Sequence, residues 1–169
     1  MAGFATASVV LGVISSIISI IDATKHIYDA AHDVSGLPSS IKQVPSKIPL
    51  ILKLLHDADQ YANRPDIDPD NCKSALESIL KPCKHRAIEL RDFLAKSVPR
   101  VGDSRGERIL KAGRAVRKGS RIGKLVEGIE ADLNLLSNYF VVSAATAGSL
   151  NLNGTVGPLF KGRYQGLTL

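Results

Sequence analysis

The residues of this 169-residue chain with the chemistry to act as ligands or nucleophiles are four histidines, two cysteines and a group of acids. His26, His32, His56 and His85 form no HExxH or other tight ligand pattern. Asp22, His26, Asp29 and Asp33 share one helical face, a spacing that serves a metal site or, more simply, a solvated face with an i,i+4 Asp–His pair. Cys72 and Cys83 lie eleven residues apart in a stretch that reads as helix. They return to nearly one face about 16 Å apart, too far for a disulfide. Buried, reduced thiols follow, which suits a reducing cytoplasmic compartment. Cys83 has His85 close by in sequence, but side chains two apart on a helix diverge, and there is no GxSxG elbow. Gly119-Ser-Arg-Ile-Gly-Lys-Leu lacks the GxxxxGK[ST] spacing and the preceding strand of a phosphate loop. Asn153-Gly154-Thr155 matches a glycosylation acceptor without a secretory signal to make use of it. The expectation is a non-enzymatic chain with no catalytic residue, no metal and no cofactor.

Two other groups carry more information. The formal net charge of +6 is concentrated between Arg100 and Lys124, where nine Lys and Arg face only Asp103 and Glu107. Arg108, Lys111, Arg114, Arg117, Lys118, Arg121 and Lys124 are the candidates for contact with anionic lipid or an acidic partner, and a merely solvated face is the plainer reading. No aromatic interleaves these charges, which removes the base stacking of single-strand binders, so no nucleic acid is expected. At the other end, the first 21 residues carry no charge. Leu11, Val13, Ile14, Ile17, Ile18, Ile20 and Ile21 are the candidates for membrane insertion. A secretory signal is disfavoured, because no Lys or Arg precedes the apolar run and the helical pattern continues unbroken into Asp22 to Asp33. A fixed span is marginal, since several serines dilute it. An amphipathic core helix, and a core helix released conditionally into lipid, both remain open.

The elements that must position these groups read as helices. Hydrophobic residues make up 44% of the chain, with four Phe, four Tyr and no Trp, so the core is built from Ile, Leu, Val and Ala. That predicts an all-α fold, an antiparallel bundle of about five helices. A first helix over 5–33 places Val10, Ile14, Ile17, Ile21 and Tyr28 on one side and Ser8, Gly12, Ser15, Ser19, Asp22 and His26 on the other. Gly36-Leu37-Pro38 ends it, and a second helix kinked or interrupted by Pro45 and Pro49 reaches about Ala62. A third runs from an Asp70 or Asn71 cap to about Ser97, bent at Pro82, with both cysteines on its apolar seam. A short basic helix over 107–118, with Ile109, Ala112 and Val116 as its inner stripe, is separated by Gly119-Ser120 from a last helix carrying Ile122, Leu125, Val126, Ile129, Leu133, Leu136 and Phe140 to about Ala147. Residues 1–148 form the bundle and 149–169 a flexible Gly-rich tail with a β-forming motif as an option, although Pro158 and the glycines oppose cross-β packing.

Val10-Leu-Gly-Val-Ile-Ser-Ser-Ile-Ile-Ser-Ile-Ile-Asp, Ile27-Tyr-Asp-Ala and Gly36-Leu-Pro resemble the start of the SesA-type, NACHT-associated N-terminal domain of fungal NOD-like receptors. Ile48-Pro-Leu-Ile-Leu, Cys72-Lys-Ser-Ala-Leu-Glu-Ser-Ile-Leu-Lys-Pro-Cys-Lys, Leu110-Lys-Ala-Gly-Arg-Ala-Val-Arg-Lys-Gly and Glu127-Gly-Ile-Glu-Ala-Asp-Leu-Asn-Leu-Leu follow in order. The resemblance implies a HeLo-like helical bundle that acts in incompatibility or immune cell death. It further implies self-association, a NOD-like receptor as partner, and a cytoplasmic protein recruited to anionic lipid of the plasma membrane on activation. No nucleotide-binding or repeat region follows, so the expectation is a free-standing version. A soluble protein–protein interaction module without membrane activity is the competing reading.

Overall fold

The computed structural model describes residues 3–31, 36–64 and 69–153, and the side chains of 9–31, 36–64 and 74–143. Five helices follow one another: α1 (Gly3–Asp29), α2 (Ser39–Lys42), α3 (Val44–Ala62), α4 (Pro69–Ser97) and α5 (Arg105–Asn153). The fold is all-α, and among the described residues the sole β-type pairing is an isolated bridge between Ala31 and Arg100. His32, Asp33, the Cys72 side chain, the Asp70/Asn71 cap and the tail motif at 154–169 lie outside what is described.

Local sequence accounts for the helix boundaries. Pro38 directly precedes α2, and Pro45 sits in the first turn of α3, where its missing N–H would have had no intrahelical partner. The interruption expected from the prolines is thus confined to the α2–α3 junction at Gln43, while Pro49 and Pro82 are carried inside α3 and α4. On α1 the predicted apolar side is the buried one: Val10, Ile14, Ile17 and Ile21 are sealed, and Gly12, Ser15, Ser19, Asp22, His26 and Asp29 face solvent. Cys83 is a free, buried thiol on the α4 seam. Burial foremost, and then the nearby Asp132 carboxylate, push its pKa up to about 12, so it packs as a small apolar residue.

The four long helices close a ring in which α1 packs on α3 and α4, and α5 packs on the same two and on α2. Contacts fix the directions. The Tyr28 hydroxyl near the end of α1 donates to the Ile41 carbonyl just before α3, at 2.9 Å, so α1 and α3 are antiparallel. The Ala31–Arg100 bridge joins the residues just past α1 and α4, which makes those two parallel. Lys47 pairs with Glu130 and Tyr61 stacks on Phe140, so α3 and α5 also run parallel. Arg86 pairs with Asp132 and Glu89 with Arg121, so α4 and α5 are antiparallel. The bundle is therefore two antiparallel hairpins side by side, with α1 and α5 at opposite corners.

α5 departs from the sequence expectation. It is one helix of 49 residues, about 73 Å long. It runs through Gly119-Ser120 and on to Asn153, past the expected boundary at 148. Gly119 marks a close approach rather than a break: a Cβ there would lie 3.1 Å from both the Pro38 Cβ and the Ser40 Oγ. Continuity corrects the inner stripe as well. With no break to reset the phase, the register of Ile122 governs what precedes it, and at 100° per residue Ala115 lies within about 20° of Ile122 while Ile109 and Val116 are about 140° and 120° away. Ala115 is accordingly buried, Ala112 is half-buried, and Ile109 and Val116 are both 65% exposed. Farther along, Gly128 lets the Arg86 side chain lie across α5 to reach the mostly buried Asp132, since a Cβ at Gly128 would come within 2.8 Å of it.

These two kinds of glycine predict opposite outcomes. Gly119→Leu must displace Pro38 and Ser40 and should cost about 1–3 kcal/mol in urea denaturation. Gly113→Ala, with nothing within 4 Å of its Cβ, should stabilise by about 0.5–1 kcal/mol through helix propensity. Destabilisation of equal size at both positions would contradict the close-approach account.

Candidate functional site

The two groups singled out from the sequence lie on different corners of the ring. On α1, Ile14, Ile17, Ile20 and Ile21 are in the core, Val13 and Ile18 are packed against it, and Leu11 is half-buried. Six of the seven insertion candidates thus pack in or against the core of the bundle. The segment Val9–Asp29 is at the same time long and apolar enough to cross a membrane, a property it shares with core helices of soluble proteins. Two of its hydroxyls bond back within the helix: the Thr24 hydroxyl donates to the Ile20 carbonyl at 2.8 Å, and the Ser19 hydroxyl to the Ser15 carbonyl at 3.0 Å. Hydroxyls bonded back to the preceding turn present no unpaired donor to an apolar phase.

On α5 the cations divide into two sets. Arg108 donates from Nε to the Asp103 carbonyl at 2.9 Å, Lys111 pairs with the Asp103 carboxylate at 2.6 Å, and Arg121 pairs with Glu89. The first two tie the start of α5 to the loop before it, and the third joins α5 to α4. Arg114, Arg117, Lys118 and Lys124 are exposed. None of the four is in an ion pair among the described residues. Exposed Ile109, Leu110 and Val116 interleave with them, giving the surface an apolar component as well as a positive one.

Sequence reasoning missed two features here. Ser104-Arg-Gly-Glu107 is a capping box, with the Ser104 N–H donating to Glu107 Oε2 at 2.8 Å and the Glu107 N–H to Ser104 Oγ at 3.3 Å. The S-x-x-E spacing was readable and starts α5 two residues before the expected Glu107. Lys96, on the last turn of α4, joins the cationic surface from a different helix, and no linear count of charge starting at Arg100 finds it. Among the described residues no three or more His, Cys, Asp or Glu gather as metal ligands.

A four-helix bundle with a buried apolar first helix and a cationic edge on its last defines an all-helical module. The chain belongs to the SesA family, described as an N-terminal domain on NACHT NTPases and P-loop NTPases, whose pattern matches residues 14–136. No curated protein and no solved structure is matched. The match takes in α2, α3 and α4 whole, α1 from Ile14 and α5 to Leu136, so it follows the bundle and stops before the distal end of α5.

The start of α5 responds to acid with a defined sign. The Lys111 ammonium, followed by the Arg100 N–H, holds the Asp103 carboxyl below the ordinary carboxylate range, and the Ser104 N–H does the same for Glu107. Folded-state values depressed in this way stabilise the turn fully above the free-carboxylate pKa, and that contribution is lost as pH falls through the lower folded values. An NMR pH titration should show the Ser104 amide moving with a midpoint below the free-Glu value of about 4.3. A midpoint at or above it would contradict the capping box.

Proposed function

We propose that this SesA domain is a NOD-like-receptor-associated effector that is cytoplasmic at rest, oligomerises on activation and attacks the plasma membrane with α1, leading to cell death. The observation that supports this reading most is the double character of α1, which packs an isoleucine seam inward and keeps a charge-free Gly/Ser stripe outward as far as Ile21. Release has to be driven. Exposing Val10, Ile14, Ile17, Ile20 and Ile21 to water costs about 1.5–3 kcal/mol each, about 8–15 kcal/mol together, which equals the whole stability of an ordinary domain. α1 therefore leaves only when another apolar phase, a bilayer or further copies of the chain, receives the seam. With α1 and α5 at opposite corners, an intact bundle does not present both to one flat membrane. The cations of α5 attract the closed domain to acidic lipid first, and opening of the ring brings α1 in.

The exposed Ile109, Leu110 and Val116 among cations favour a second reading, a soluble module that docks an acidic, partly apolar partner through α5. One variant separates the two. Ser15→Lys/Ser19→Lys lies on the exposed face of α1 and should leave the melting temperature nearly unchanged. Each added lysine costs about 2.5–3.5 kcal/mol at the centre of a membrane helix, so the variant should abolish leakage of phosphatidylserine vesicles by a forcibly clustered fusion. Undiminished leakage, or none from the parent protein, would overturn the membrane reading. The soluble reading predicts instead that Arg114→Glu/Lys118→Glu destroys a protein complex while vesicles are never engaged.

A further inference from the structure

The carboxyl end of α4 and the cationic stretch of α5 enclose a pocket of about 340 Å³ lined by Phe93, Lys96, Ser97, Arg114, Arg117 and Lys118. Four of the six are cations and none is an acid. Lys96, Arg114 and Lys118 have no carboxylate partner among the described residues, and the Arg117 Nε donates only to the Gly113 carbonyl at 3.3 Å. Asp92, one turn before Lys96 on α4, is engaged by Arg91 at 2.6 Å. The remaining polar residue is the unusual one. Ser97 is 1% exposed, and its hydroxyl oxygen is sealed from solvent with no hydrogen-bond partner. Native structures leave few buried hydroxyls unsatisfied, and Ser97 borders the pocket that the four cations line.

Such a lining suits an anion of high charge density. The carboxyl end of α4 opposes any anion with about half a unit of negative charge, against four full positive charges on the pocket walls. Two guanidinium forks and two ammonium groups match a phosphate dianion better than a single carboxylate. The volume lies within the range of small-molecule sites and holds more than one phosphate group, and Phe93 offers a flat apolar wall to a ring. We infer that this pocket binds a phosphomonoester-bearing ligand, free or as a lipid headgroup. Arg114, Arg117, Lys118 and Lys96 hold its oxygens, and Ser97 rotates about χ1 to donate a hydrogen bond. The site rests on α4 and α5 alone and does not require the release of α1, so it stands or falls separately from the membrane reading.

Calorimetry of the full chain with inositol 1,4,5-trisphosphate tests it. The expected result is one-to-one binding, weakened at least about tenfold by Arg114→Gln/Lys118→Gln, which removes charge-assisted contacts. Arg105→Gln/Lys124→Gln, with the same charge change outside the pocket, should weaken it less than about twofold in physiological salt. Ser97→Ala should weaken it about threefold to tenfold and leave the melting temperature equal or higher, because it deletes an unsatisfied buried group. Vesicles carrying phosphatidylinositol 4-phosphate, compared with phosphatidylserine vesicles of matched charge, identify the source. Preference for the phosphorylated lipid assigns a headgroup, and equal binding alongside tight trisphosphate binding assigns a free ligand. No trisphosphate binding, an equal loss in the two glutamine pairs, or wild-type affinity in Ser97→Ala would each overturn the assignment.

Discussion

The isoleucine seam of α1 is what the rest of the bundle is arranged around. Ile14, Ile17 and Ile21 are fully buried where α1 meets α3 and α4, and both of those helices turn their own sealed residues to the same core: Ile48, Ile51 and Leu55 from α3, Leu80, Leu90 and Leu94 from α4. Because neither hairpin buries its apolar face alone, the α1–α3 pair needs the α4–α5 pair, and the parallel contact of α1 with α4 carries the join. The chain thus places its one helix long and apolar enough to cross a membrane, among the described residues, where removing it dismantles the bundle. Under the proposed reading α1 is a conditional membrane element, and its burial sets a large energetic threshold for any trigger.

The continuity of α5 is the second constraint. One helix spans both the cationic segment from Arg114 to Lys124 and the core residues Ile129, Leu133 and Phe140. Its contacts at Gly119 with Pro38 and Ser40, and at Gly128 with Arg86, are where α5 is held to α2 and α4. A ligand at the carboxyl end of α4 would act on the same interface, at the end of the bundle where the Ala31–Arg100 bridge ties α1 to α4.

Much of the fold was legible in the sequence because helical periodicity is strong where a helix buries one side. The faces of α1, α3 and α4 and the stripe from Ile122 to Phe140 follow that rule, and Pro38 precedes α2 as expected, whereas α1 ends at Asp29, short of the expected bound at 33. Gly119-Ser120 misled because glycine signals a break in sequence and permits a close approach in three dimensions, and only the position of Pro38 and Ser40 distinguishes the two. The assignment of Ile109 and Val116 to the interior failed as a consequence, since a short helix chooses its own phase and a long one does not. The site was half legible. The cations were counted correctly, but which of them are engaged by Asp103 and Glu89, and which join Lys96 and Ser97 around a pocket, depends on packing between α4 and α5 that no spacing along the chain encodes.

The central claim is that α1 cannot separate from the folded bundle without unfolding it. Native-state hydrogen exchange of the soluble protein measures this directly by comparing the amides of Ile14 to Ile21 with those of Leu80 to Leu94. If α1 is integral, both segments exchange only through the same global opening, with matching free energies and matching denaturant dependence. Exchange of the α1 amides through a separate opening of much lower free energy, while α4 stays protected, would contradict the account and make α1 a peripheral helix that detaches on its own.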